Sequence, residues 1–250
     1  MTIGLMCAIP AELDHLRDAL DHRRTTRLAG LDFFHGELDR HDVVLVGAGI
    51  GKVNTALSAT LLAARFDSRI IVFSGVAGGL DRALAIGDVV IADRTLQHDA
   101  GTYQNERIET YQAGHVPFFN PTERLGYDVA PDLLERVRGR LLTLDLAPLT
   151  EAAGGAGRVP QIAFGPILSG DQFINCEATR ERLHREFDGK AAEMEGGALG
   201  QVAEAFSVEW LDIRALSDLA GAESHFDFSA FVREVAASSA KILRHLLPVL

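Results

Sequence analysis

Short, almost purely apolar runs recur along this chain. They end in glycine-rich or acidic turns and are separated by stretches with helical spacing. Near-continuous apolar strands belong in sheets covered on both faces, whereas a half-solvated strand alternates apolar with polar residues. Residues 3–9, 70–73, 86–92, 161–168, 191–194 and 210–216 read as such strands. Residues 31–38 and 42–46 add a pair joined by a turn at 39–41. Helices are expected over 11–20, with Pro10 suited to the first turn, and over 52–65, 131–142, 177–187, 196–206 and 227–247. Strands alternating with helices imply an α/β fold. We expect one domain over residues 1–250, with a central twisted sheet, mixed but largely parallel, flanked by helices.

Two segments depart from the pattern. Residues 99–126 hold Tyr103, Tyr111 and Phe118-Phe119 with little periodicity, inside an enlarged loop region of about 100–160. A loop that long is usually functional or an interface. Residues 151–157, EAAGGAG, read as a flexible stretch.

The balance of 24 basic against 35 acidic residues gives a formal charge of −11, which repels nucleic-acid backbones. Two cysteines, Cys7 and Cys176, cannot form a disulfide framework and read as reduced thiols. The first strand carries no basic leader, and no apolar run approaches the ~18 residues of a membrane span. These features point to the cytoplasm, with no nucleic-acid or membrane partner. His98, His115 and His225 are scattered without ligand spacing, so no metal is expected.

In open α/β sheets, chemistry sits beyond the carboxyl ends of strands. The residues delivered there are Glu12, the turn at 74–79, Asp171 with Phe173, the run Glu193-Met194-Glu195, and Arg214 followed by Ser217-Asp218. Singly, each has a plain explanation: Glu12 and Glu195 as helix N-terminal charges, Asp218 as a cap or turn residue. The glycines at 47, 49 and 51 lack the spacing of a dinucleotide or P-loop fingerprint. The Glu-Met-Glu run is less plain. Two carboxylates at i and i+2 on a strand point the same way and need a cation, for which Arg214 is the natural choice.

The stretches IGLMCAIPAEL, GAGIGKVNTAL, SGVAGGL, GDVVIAD, SGDQFIN, AEMEGGAL and RALSDLAGAESHFDF occur in this order from residue 3 to the last helix. In them the chain resembles the purine nucleoside phosphorylase superfamily, and within it the bacterial 5′-methylthioadenosine/S-adenosylhomocysteine nucleosidases. The resemblance implies roles. Glu12 would activate water, Asp218 would protonate adenine N7, and Glu195 would hold the ribose hydroxyls near Arg214. Met194 would pack on the sugar, Phe173 on the base, and Phe228 beside the 5′ group, while the Ile174 backbone would read the purine edge. Ile50, Val76, Glu193, Ser217 and Pro117 would complete the pocket. No metal or organic cofactor is implied.

The chain departs from the family pattern in three places. Val76 stands where a small hydroxyl residue is expected, Ile9-Pro10 replaces a more acidic run, and residues 111–118 are reworked. A neighbouring subunit usually closes over the 5′ substituent, so the resemblance implies a homodimer using 103–119. Three alternatives are weighed beside a nucleosidase: a phosphate-dependent phosphorylase, a futalosine-type nucleoside hydrolase, and a non-catalytic nucleoside-binding relative.

Overall fold

The computed structural model describes residues 2–8, 10–151, 157–220 and 228–250. The flexible stretch expected at 151–157 falls mostly outside these residues, as does His225.

The chain runs β1 (Thr2–Cys7), α1 (Pro10–Ala19), β2 (Asp21–Leu28), β3 (Leu31–Leu38), β4 (His41–Gly47), α2 (Lys52–Phe66), β5 (Ser68–Gly79) and β6 (Val89–Gln97). It continues through β7 (Gly101–Gln104), β8 (Arg107–Thr110), β9 (Tyr127–Asp128), α3 (Pro131–Leu141) and β10 (Ile162–Ser169). It ends with α4 (Glu177–Phe187), β11 (Ala191–Glu193), α5 (Gly196–Phe206), β12 (Glu209–Asp218) and α6 (Phe228–Leu246).

The main sheet has the order β11-β10-β6-β12-β5-β1-β4-β3-β2, with β9 on β6. It is mixed. β1 lies parallel to β4 and β5, β12 to β5, and β10 to β6 and β11. β12 meets β6 antiparallel, and β11 meets β5 antiparallel. That last pairing closes five strands into a ring, which brings together strand ends that an open sheet would hold apart. Helices α2 and α5 pack on one another, as do α1 and α6. Ile70 to Phe73 and Val90 to Ala92 are fully buried, as their unbroken apolar runs require. No helix among the described residues is long and apolar enough to cross a membrane.

Three expectations are corrected. The glycine-rich run 74–79 is no turn. It continues β5, pairing with β12 on one side and with Ala191 and Ala192 on the other. Segment 99–126 contains a hairpin, β7–β8, turned by Asn105 and Glu106 at φ 50° and 62°. β2 was not expected at all. Its sequence, DHRRTTRL, is almost wholly solvated and carries no apolar signal. It is an edge strand held by its backbone and by pairs such as Arg23–Glu37 at 2.7 Å.

Candidate active site

The strand ends singled out in the sequence meet at one cavity, lined mostly by apolar groups with a few convergent polar ones, as small-molecule sites are. Ala8 and Glu12 come from beyond β1, Ile50 from before α2, Val76, Ala77 and Gly78 from β5, and Gln172, Phe173 and Ile174 from beyond β10. Ala192, Glu193, Met194 and Glu195 come from around β11, and Arg214, Ser217 and Asp218 from β12.

Arg214 organises the inner wall. Its side chain is 1% exposed, and a buried guanidinium is tolerated only with compensating charge. Three carboxylates provide that charge, one at each nitrogen. Nε donates to Asp212 Oδ1 at 2.7 Å, Nη1 donates to Glu195 Oε2 at 3.1 Å, and Nη2 forms an ion pair with Glu193 Oε2 at 2.7 Å. The ring of Phe73 lies 4.4 Å from the guanidinium carbon. Burial works against the Arg214 cation, but the three carboxylates outweigh it and raise its pKa.

The three carboxylates are not equivalent. Glu193 Oε2 also accepts the backbone N–H groups of Glu195 and Gly196 at 2.7 and 2.8 Å, and the Ser169 hydroxyl donates to Oε1. Glu193 is therefore a brace. Glu195 is the N-cap of α5 rather than a strand residue, so the two carboxylates do not share a face by strand period; Arg214 gathers them. Glu195 Oε1 accepts the Gly51 N–H at 2.8 Å, from a residue at φ +98° that glycine adopts without strain. Burial pushes the Glu195 carboxyl above its ordinary value, and Arg214 opposes the shift. Burial pushes Asp212 up to about 7, again against Arg214.

Glu12, in the first turn of α1, is buried and converges with Arg214 on the bare Cα of Gly75. A Cβ there would stand 2.7 Å from Arg214 Nη1 and 3.4 Å from Glu12 Oε1. Below them burial raises the Cys7 thiol, and Glu12 adds to the shift.

Asp218 ends β12 at the outer wall. Its Oδ2 accepts the Ser217 hydroxyl at 2.9 Å, and Oδ1 accepts the Ala220 N–H at 2.8 Å. Phe173 is 74% exposed at the rim. The root of its segment is tethered, because Asp171 Oδ1 accepts the Lys52 N–H at 2.9 Å and the Asp171 N–H donates to Asp99 Oδ2 at 2.9 Å. Lys52 Nζ closes the loop on Asp99 at 2.6 Å. The N–H groups at the start of α2 thus hold one carboxylate of the cavity lining, Glu195, and one at the root of the Phe173 segment, Asp171.

Of the expected site residues, Pro117 does not line this cavity. It lies beside Phe118 and Phe119, which are 92% and 83% exposed. Phe228 begins α6, and its side chain lies outside the described residues. His98 is buried, and burial lowers its pKa. No cluster among the described residues could hold a metal ion. The sequence reading missed Ala8, Gln172 and Ala192 in the lining, and Asp212, Asp99 and Lys52 behind it. Asp212 was findable: it stands two residues before Arg214 on one strand, hence on the same face. The Lys52–Asp99 tether joins residues 47 apart and left no local signal.

Residues 2–248 match the family model of the phosphorylase superfamily. A 5′-methylthioadenosine/S-adenosylhomocysteine nucleosidase of Mycobacterium tuberculosis is 58% identical over all of this chain and 98% of its own length. A nucleosidase of the same name from Streptococcus pneumoniae, solved with a transition-state inhibitor, superposes with a TM-score of 0.79 at 30% identity, covering 99% of this chain and 98% of that one. The futalosine hydrolase of Helicobacter pylori superposes at 0.80 with 26% identity, over 100% of this chain and 98% of its own.

Proposed function

As a member of the phosphorylase superfamily, in the family of 5′-methylthioadenosine/S-adenosylhomocysteine nucleosidases, this chain, we propose, hydrolyses the N-glycosidic bond of an adenine nucleoside and releases adenine. One observation favours water over phosphate as nucleophile. Arg214 is the only Lys or Arg among the described cavity-lining residues, and three carboxylates already surround it. A phosphate dianion would meet uncompensated negative charge there, whereas water meets none.

The chemistry follows from the two walls. Asp218 gives a proton to adenine N7 as the C1′–N9 bond breaks. The sugar becomes oxocarbenium-like, and the carboxylate of Glu195, holding the ribose hydroxyls, stabilises the positive charge. Water adds to C1′ from the opposite face, and its proton passes to Glu12, as in inverting glycoside cleavage. Each proton transfer contributes about 10²–10⁴ in rate. Phe173 stacks on the base, the Ile174 backbone reads the purine edge, and Met194, Ile50, Ser217 and Val76 close around the nucleoside. Val76 offers the water no hydroxyl. No cofactor takes part.

The exposed aromatics Tyr103, Phe118 and Phe119 support a homodimer in which 103–119, with Pro117, and Phe228 shape the 5′ pocket. We place the enzyme in the cytoplasm. The test is a panel of methylthioadenosine, S-adenosylhomocysteine, 5′-deoxyadenosine and a futalosine-type nucleoside, assayed for free base in phosphate-free buffer. Release of adenine without phosphate is expected; strict dependence on phosphate would overturn the reading. Tight binding with no free base would make the chain a binding protein.

A further inference from the structure

Among the buried acids gathered round Arg214, the steps above leave Asp212 without a part. Asp212 is fully buried on β12, where its strand neighbour on β5 is Phe73. Its Oδ1 takes the Arg214 Nε–H at 2.7 Å, and its Oδ2 is buried without a hydrogen-bond partner. It does not line the cavity itself and reaches it only through Arg214. Close packing holds the acid in place: a Cβ on Gly196 would stand 2.3 Å from Oδ2, and the Thr95 methyl bounds the same spot. The charged groups facing it are Arg214 on its own strand, Glu193 from β11 and Glu195 at the start of α5; Phe73 and Thr95 from β5 and β6 are uncharged.

A guanidinium has a rigid planar fork, so fixing Nε fixes the directions of both terminal nitrogens. Resting on the nucleosidase reading, we propose that Asp212 is a positioning residue. By holding Arg214 at Nε it aims Nη1 at Glu195, so that the Glu195 carboxylate is set to receive the ribose hydroxyls. Glu193, bound to the Ser169 hydroxyl and two backbone N–H groups, holds the other terminal nitrogen but cannot by itself stop the fork from pivoting about that contact. Besides sharing in the charge balance of Arg214, Asp212 is the one carboxylate that holds the fork at its root, and that contact fixes its direction.

Misplacing a substrate-holding group by about 1 Å can cost about 10²-fold. Asp212→Ala is therefore expected to lower kcat/KM for methylthioadenosine by roughly 10- to 100-fold, with free adenine still binding within about twofold, because the base is held at the other wall. Asp212→Asn keeps an oxygen for Nε and should recover activity to within about threefold. A second readout needs no turnover. The Arg214 Nε–H should give a ¹H–¹⁵N signal protected from exchange in the wild type and in Asp212→Asn, which Asp212→Ser and Asp212→Ala lose. The proposal is overturned by activity within twofold in Asp212→Ala, by equal loss of adenine and nucleoside binding, or by an unchanged Arg214 signal in Asp212→Ser. If Asp212→Ala fails to fold, Asp212→Ser makes the same comparison. A wild type that releases no adenine from any nucleoside would instead sink the functional reading, and the Arg214 signal would still decide what Asp212 holds.

Discussion

The two walls of the cavity are built in opposite ways. At the inner wall, Arg214, Asp212, Glu193 and Glu195 are all buried and every guanidinium nitrogen has a carboxylate. At the outer wall, Phe173 is largely exposed and Asp218 is half-buried, both on segments at or past strand ends. Unpaired charge in the interior costs several kcal/mol, so the inner wall must be assembled as the chain folds. An aromatic ring at the rim carries no such requirement and can settle on a base when one arrives. On the proposed chemistry, the inner wall is the preorganised side, facing the sugar, and the outer wall the adaptable side, facing the leaving group.

The difference can be broken at either wall. Glu12→Gln should have the largest effect, removing the proposed base while leaving the cavity's shape intact. Turnover should fall by roughly 10⁴-fold with a transition-state inhibitor still bound; near-normal turnover would strip Glu12 of its role. Asp218→Asn at the outer wall should cost about 10²–10³-fold in kcat with KM little changed, measured as adenine release. Phe173→Ala should be milder, raising KM about tenfold with kcat within threefold, since stacking binds substrate and transition state alike. An effect chiefly on kcat would place the ring in the chemistry instead.

The smallest effect concerns stability. Asp212 in the folded chain titrates at about 7, against 3.8 as its ordinary value. The folded state therefore holds a proton that the unfolded chain releases, and stability falls as pH rises from about 4 to about 7. Asp212→Asn should flatten that part of a Tm-against-pH curve by a few degrees. Parallel curves for the two proteins would show that Asp212 does not carry the shift.

Much of both walls was legible in the sequence. Unbroken apolar runs located β5, β10 and β12, and the motif around Glu193-Met194-Glu195 pointed to Arg214 across some 20 residues of chain. What failed failed for physical reasons. The run SGVAGG reads as a turn because glycines favour turns, yet here the missing side chains let Arg214, Glu12 and Asp218 approach an extended strand. β2 carries no apolar signal because both its faces are wet, and only pairing with β3 defines it.

By itself the sequence determined the helices, the buried strands between them and the chemical type of the residues near their ends, because burial and local periodicity act on neighbours along the chain. Tertiary structure alone decided that β11 pairs with β5 to close the ring, that Gly51 and Lys52 reach carboxylates 144 and 119 residues away, and that Asp212 grips Arg214 by its Nε. Those contacts depend on where folded strands cross in space. For Arg214 and its carboxylates, buried with no water to screen them, that placement carries the largest energetic consequence.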